Sequence, residues 1–215
     1  RGVSVIQSIE ELMELNEGTI IIRSHGVSKD VYDIITQKGL KIVDATCPFV
    51  RKIHKIVTEQ CNEGRDIVIV GSNSHPEVEG IKGWCNRPVT VIETIEDVIN
   101  LTKSPDTKLC VVSQTTFNYV KFKEIVSIIC EKYNDTVVLN TICNATEERQ
   151  TEAYELARSC DAMIVIGSKH SSNTQKLYNI CKNECENTIF IQTQKDLNLE
   201  NLKSFNSIGI TAGAS

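Results

Sequence analysis

The sequence predicts an α/β protein of repeated three-layer-like α/β units, with mostly parallel sheets arranged around a central pocket. Three observations predict it. Apolar runs of strand length alternate with helical patterns across short connections, as in layers built on parallel strands. The run Ile67 to Val70 is continuously β-branched, which suits a strand buried on both faces. Five such runs, in TIIIRSHGVS, IVIVGSNSHPEVEG, KLCVVSQTT, AMIVIGSKHSSN and SIGITAGAS, empty into short loops of Ser, Thr, Asn, His and Gly.

Each element has a local reason. Ser8 and Glu11 form a capping box that opens a helix over 9–16. A strand over 19–23 precedes a helix from Lys29 to Lys38, which Gly39 stops. After a strand over 41–44, Pro48 sits where a first-turn proline belongs, and Val50, Ile53, Val57 and Cys61 share one helical face. His54, between Lys52 and Lys55, is expected to face solvent. A strand over 66–70 leads to a short helix begun by Pro76; strand 89–92, helix 95–102, strand 108–113, helix 118–133 and strand 136–139 follow. The last third repeats the cycle through a loop plus helix after Asn140, strand 162–166, helix 172–183, strand 188–191, a short helix near 196–202 and strand 207–211. The expected division is 1–46, the C-terminal part of a first unit; 47–140, a second; and 141–215, a third that is incomplete.

Composition narrows the function. A net charge of −5 argues against a nucleic-acid surface on this segment. No apolar stretch approaches the roughly 20 residues that span a bilayer, and no signal peptide opens the chain, so a cytoplasmic location is expected. The nine cysteines are odd in number and include no CxxC pair, so no disulfide framework is expected and most thiols read as reduced and structural.

In open α/β sheets ligands sit beyond the carboxyl ends of the strands, where these polar loops lie. The loops supply His25, His75, Glu77, Thr115, Ser171, Ser172, Asn173 and Ser215, with few Lys or Arg. Each precedes a helix start, whose free N–H groups and positive dipole end favour an anion. Hydroxyls, amides and imidazoles in that setting suit a phosphate or diphosphate; the plain alternative makes each Ser, Thr or Asn only an N-cap. Cys47 and Cys143 stand apart from the other seven cysteines. Both lie at polar strand-to-helix junctions, a setting that favours the thiolate, the metal-binding form.

In order along the chain, SHGVS, DATCP, HPEVEG, QTT, GSKHSSN and TAGAS resemble the 4-hydroxy-3-methylbut-2-enyl diphosphate reductases, the LytB-type iron–sulfur family. The resemblance implies three similar α/β units around a [4Fe-4S] cluster, held by three cysteines that leave one iron open to the substrate hydroxyl. Cys47 and Cys143 match two of those ligands. His25 and His75 match imidazoles that contact the diphosphate, Glu77 the proton-delivering glutamate, and Thr115 the threonine near it. Ser171, Ser172, Asn173 and Ser215 match the diphosphate-binding residues. The implied reaction removes an allylic hydroxyl reductively to give isopentenyl and dimethylallyl diphosphates, the last step of the non-mevalonate isoprenoid pathway. Ferredoxin or flavodoxin is the implied electron donor, since no GxGxxG nucleotide fingerprint occurs.

The family's first cysteine and a further substrate-site histidine match nothing here and are expected upstream of Arg1. The chain therefore reads as an N-terminally truncated fragment, expected to be inactive alone. Two other functions stay open on the residues: a non-catalytic diphosphate-binding module, and a metal-free phosphosugar isomerase using the His and Glu side chains.

Overall fold

Residues 2–198 and 200–213 are described by the structure, a computed structural model. The first elements are α1 (Ile9–Glu14), β1 (Thr19–Ile22), α2 (Lys29–Gln37), β2 (Lys41–Asp44), α3 (Pro48–Asn62) and β3 (Asp66–Val70). α4 (Pro76–Lys82), β4 (Thr90–Ile92), α5 (Ile95–Ile99), β5 (Leu109–Ser113), α6 (Tyr119–Lys132) and β6 (Thr136–Val138) follow. α7 (Asn144–Ser159), β7 (Ala162–Ile166), α8 (Ser172–Glu184), β8 (Thr188–Ile191) and β9 (Ile208–Ala212) complete the chain. The expected short helix near 196–202 is instead two 3₁₀ turns, Gln194–Asp196 and Glu200–Leu202. A reciprocal Thr193–Asp196 box caps the first of them, and the turn closes after three residues.

The chain divides into two compact units, Arg1–Gln114 with Glu124–Thr141, and Thr115–Lys123 with Ile142–Ser215. The first holds a two-stranded sheet, β1-β2, and a four-stranded sheet of order β4-β3-β5-β6; the second holds β8-β7-β9. Every pairing among the described residues is parallel, so successive strands end on the same edge of each sheet.

Central position explains the β-branched run. β3 lies between β4 and β5, and Ile67 to Val70 are each at most 1% exposed. Val50, Ile53, Val57 and Cys61 of α3 are buried, and Ile53, Val57 and Cys61 pack with Ile67, Ile69 and Cys110. Each fully buried Ile or Val there contributes about 1.5–3 kcal/mol of apolar burial. In the second unit Met163, Val165, Leu177 and Ala153 form the equivalent core.

Seven of the nine cysteines are free, as expected of most of them, and one pair is bridged. Cys61 and Cys85, 24 residues apart, form a disulfide. The end of α3 and the segment after α4 bring their Cα atoms within 5.7 Å, inside bridging range, a proximity that spacing along the chain does not encode.

Candidate functional site

In the first unit the ladder of β1 and β2 runs past the strands. Ala45 N–H donates to the Ile22 carbonyl at 3.0 Å, and Cys47 N–H to the Ser24 carbonyl at 2.9 Å. Thr46 N–H meanwhile donates to Asp44 Oδ1 at 2.9 Å, which fixes the turn between them. Cys47 becomes the N-cap of α3, with Pro48 at the first helical position where no N–H is needed. Its free thiol is half-buried and makes no capping hydrogen bond.

At the end of β3 the chain needs Gly71, since a Cβ there would lie 2.9 Å from both Gln114 Cβ and Val78 Cγ2. His75 is the N-cap of α4, and its Nδ1 accepts the Glu77 N–H at 3.2 Å. In a neutral ring the proton then sits on Nε2, which leaves that nitrogen a donor. Glu77 is 2% exposed, whereas Glu79 lies outside and pairs with Lys82 at 2.7 Å. The His25 ring stands edge-on to His75, with centroids 5.4 Å apart. His25 Nδ1 is buried without a hydrogen-bond partner. Burial, and then the positive charge of Arg23, lowers the His25 pKa and favours a neutral imidazole.

The second unit repeats the cysteine geometry. Cys143 N–H donates to the Thr115 carbonyl at 2.9 Å, and Thr115 is 7% exposed. Cys143 caps α7 with φ −64° and ψ 130°, close to the −54° and 134° of Cys47, and its thiol too is half-buried and not used in capping. Ser171 caps α8, its Oγ accepting the Thr174 N–H at 3.3 Å; Ser172 opens the helix and Asn173 is 5% exposed. Ser215 lies outside the described residues.

His25, His75 and Glu77 are thus gathered in the first unit, with Cys47 bonded to the His25 loop; Thr115 and Cys143 are neighbours in the second. Two residues escaped the sequence reading. His54 is 3% exposed, not solvent-facing, because Trp84 stacks on its ring at 4.7 Å. Its spacing from Val50 (four residues) and Val57 (three) puts it on the same helical face, a signal its lysine neighbours obscured. Thr174 is fully buried; a Cβ on Gly167 or Gly213 would fall within 2.4 Å of its Oγ1, so both glycines let α8 approach the ends of β7 and β9.

The cysteines separate into kinds. Burial pushes the thiols of Cys110 and Cys181 up to about 11, which disfavours the ligating thiolate. Cys61 and Cys85 are consumed in their disulfide. Cys47 and Cys143, half-buried at helix starts with side chains uncommitted to capping, have the donor chemistry an iron–sulfur cluster requires. Each by itself has the character of a thiolate ligand; among the described residues no group of three His, Cys, Asp or Glu side chains is placed to hold a metal.

The family model described as LytB protein matches residues 1–215. A protein of Thermoanaerobacter sp. (strain X514), named 4-hydroxy-3-methylbut-2-enyl diphosphate reductase, is 48% identical over 216 residues, covering 100% of this chain and 74% of its own length. One of the same name from Clostridioides difficile (strain 630) is 44% identical over 215 residues, covering 100% of this chain and 76% of its own. The solved E-1-hydroxy-2-methyl-but-2-enyl-4-diphosphate reductase of Plasmodium falciparum superposes with a TM-score of 0.89 at 32% identity, over 98% of this chain and 66% of that one.

Proposed function

The chain belongs to the LytB protein family, and from that premise we propose that its polypeptide reductively dehydroxylates (E)-4-hydroxy-3-methylbut-2-enyl diphosphate to isopentenyl and dimethylallyl diphosphates. This is the terminal step of the non-mevalonate pathway. The balance is two electrons and two protons in, one C–O bond broken, one C–H bond formed and one water released. The observation that carries the reading is the His25–His75 pair beside buried Glu77, on a chain matched along its whole length by reductases.

His75, whose Nδ1 accepts the Glu77 N–H, and His25, whose ring lies 5.4 Å away, are the imidazoles we assign to the diphosphate. Imidazoles and hydroxyls there would bind a diphosphate without a lysine cluster. Ser171, Ser172, Asn173 and Ser215 add hydroxyl and amide donors at the start of α8 and the end of the chain, where the helix dipole also favours an anion. Glu77, almost fully enclosed, delivers the proton with which the hydroxyl leaves as water, and Thr115 orients that exchange. Cys47 and Cys143 would ligate iron in a [4Fe-4S] cluster. When bound, the cluster supplies the electrons and a Lewis-acidic site for the departing oxygen. A ferredoxin or flavodoxin in the cytoplasm would be the electron donor.

The test is anaerobic reconstitution of the full-length polypeptide with iron and sulfide, followed by assay with reduced viologen and the allylic diphosphate. Formation of both isoprenoid diphosphates, lost on adding a chelator or air, is expected. Turnover in air with chelator present would overturn the reading in favour of a metal-free isomerase.

A further inference from the structure

The loop that carries His25 is held by a wedge on which the reaction makes no direct call. Gly26 adopts φ +69°, and a Cβ built on it would lie 2.6 Å from His54 Cε1. His54, buried in mid-helix, has no hydrogen-bond partner for its Nε2, while its ring packs on Trp84. Its ring lies 4.7 Å from Trp84 at an interplanar angle of 15°. Trp84 in turn donates Nε1–H to the Val27 carbonyl at 2.9 Å, and Tyr32 closes on it edge-to-face at 5.6 Å. Thr58 Oγ1 lies 2.9 Å from the His54 carbonyl and 3.1 Å from that of Trp84, tying helix to loop. On the far side Gly80 and Gly83 pass close to Val27 and Ser28, with room for no more than hydrogen at Gly83.

We propose that His54 is a positioning residue: stacked on Trp84 and pressed against Gly26, it fixes the loop bearing His25 opposite His75 and so sets the diphosphate end of the substrate site. The inference rests on the assignment of His25 and His75 to the diphosphate. Because Gly26 directly follows His25, displacement of the loop by a fraction of an ångström re-aims the imidazole, and a misplacement of about 1 Å costs on the order of 100-fold where reacting or binding groups must align. His54 touches no substrate in this scheme; its effect passes through the backbone of Gly26.

The test uses the full-length reconstituted polypeptide and two readouts, the KM and kcat for the allylic diphosphate and the dissociation constant for inorganic pyrophosphate. His54→Ala is expected to raise both KM and that constant about tenfold with kcat within twofold. His54→Phe, which keeps the ring and its stacking, is expected to hold all three within twofold. Gly26→Ala weakens pyrophosphate binding in the natural background and weakens it less in His54→Ala, since the left-handed backbone strain is common to both backgrounds while the collision is not. Unchanged pyrophosphate affinity in His54→Ala, a His54→Phe variant as impaired as His54→Ala, or strict additivity of the two changes would each overturn the proposal. His25→Ala, measured alongside, separates the premises. If it leaves pyrophosphate affinity intact, the diphosphate role of His25 falls, while non-additivity of Gly26→Ala and His54→Ala in the urea midpoint still decides whether the wedge exists.

Discussion

The backbone N–H of Cys143 donates to the carbonyl of Thr115 at 2.9 Å, and the same bond at the same length joins Cys47 to Ser24. In each case a backbone bond past the ends of two strands precedes a cysteine that starts a helix. The two junctions share a backbone conformation although their sequences, DATCP and NTICNAT, have little in common.

That shared geometry predicts a division among the thiols. In the reconstituted full-length polypeptide, Cys47→Ser or Cys143→Ser should lose most of the bound iron and the visible absorbance. Cys181→Ser should keep both, since its thiol is buried in the core against Ala153. Iron analysis checks this, and equal iron in all three variants contradicts it.

Glu77→Gln preserves the shape of a side chain that is 2% exposed but removes its proton. We expect kcat to fall by about 10²–10⁴-fold, the range of a lost general acid, with iron content unchanged. Steady-state kinetics beside iron analysis reads this directly.

His54 gives an acid-side stability slope. Burial, opposed by Asp44 and aided by Arg51, brings its pKa down from 6.5 to about 4. The unfolded chain therefore binds the proton more readily, so the His54 contribution is intact above pH 6.5 and is lost as pH falls toward 4. At ~1.4 kcal/mol per unit the loss is on the order of 3 kcal/mol. Urea unfolding at pH 7 and pH 5 should show a smaller acid penalty for His54→Phe than for the unaltered protein.

Cys61 and Cys85 close a loop over a separation of 24 residues. Chain entropy alone gives about 3 kcal/mol for such a closure. Dithiothreitol, or Cys85→Ser, should lower the urea midpoint accordingly without unfolding the protein at neutral pH. Reduced Cys61 has Asn86 Oδ1 at 3.3 Å to accept its hydrogen.

Much of the fold was legible because its signals are local. The Ile67–Val70 run, the cap at Ser8, Pro48 and Pro76 at first helical turns, and Gly39 at a helix end each act within a few residues, and each matches an element of the structure. His54 was misjudged from Lys52 and Lys55 because the group that covers it, Trp84, comes from thirty residues further on. A separation of 24 residues likewise hid the Cys61–Cys85 pairing, and Thr174 could not be singled out before β7 and β9 were known to be neighbours.

By itself, then, the sequence determined most of the strands and helices, and that polar and thiol-bearing residues follow the carboxyl ends of strands, because propensity, capping and periodicity are properties of short stretches. Only the tertiary structure decided that His25 faces His75, that His54 is enclosed by Trp84 and Gly26, and that Cys61 meets Cys85. Those contacts depend on how sheets and helices pack, and packing joins residues whose separation along the chain carries no record of their meeting.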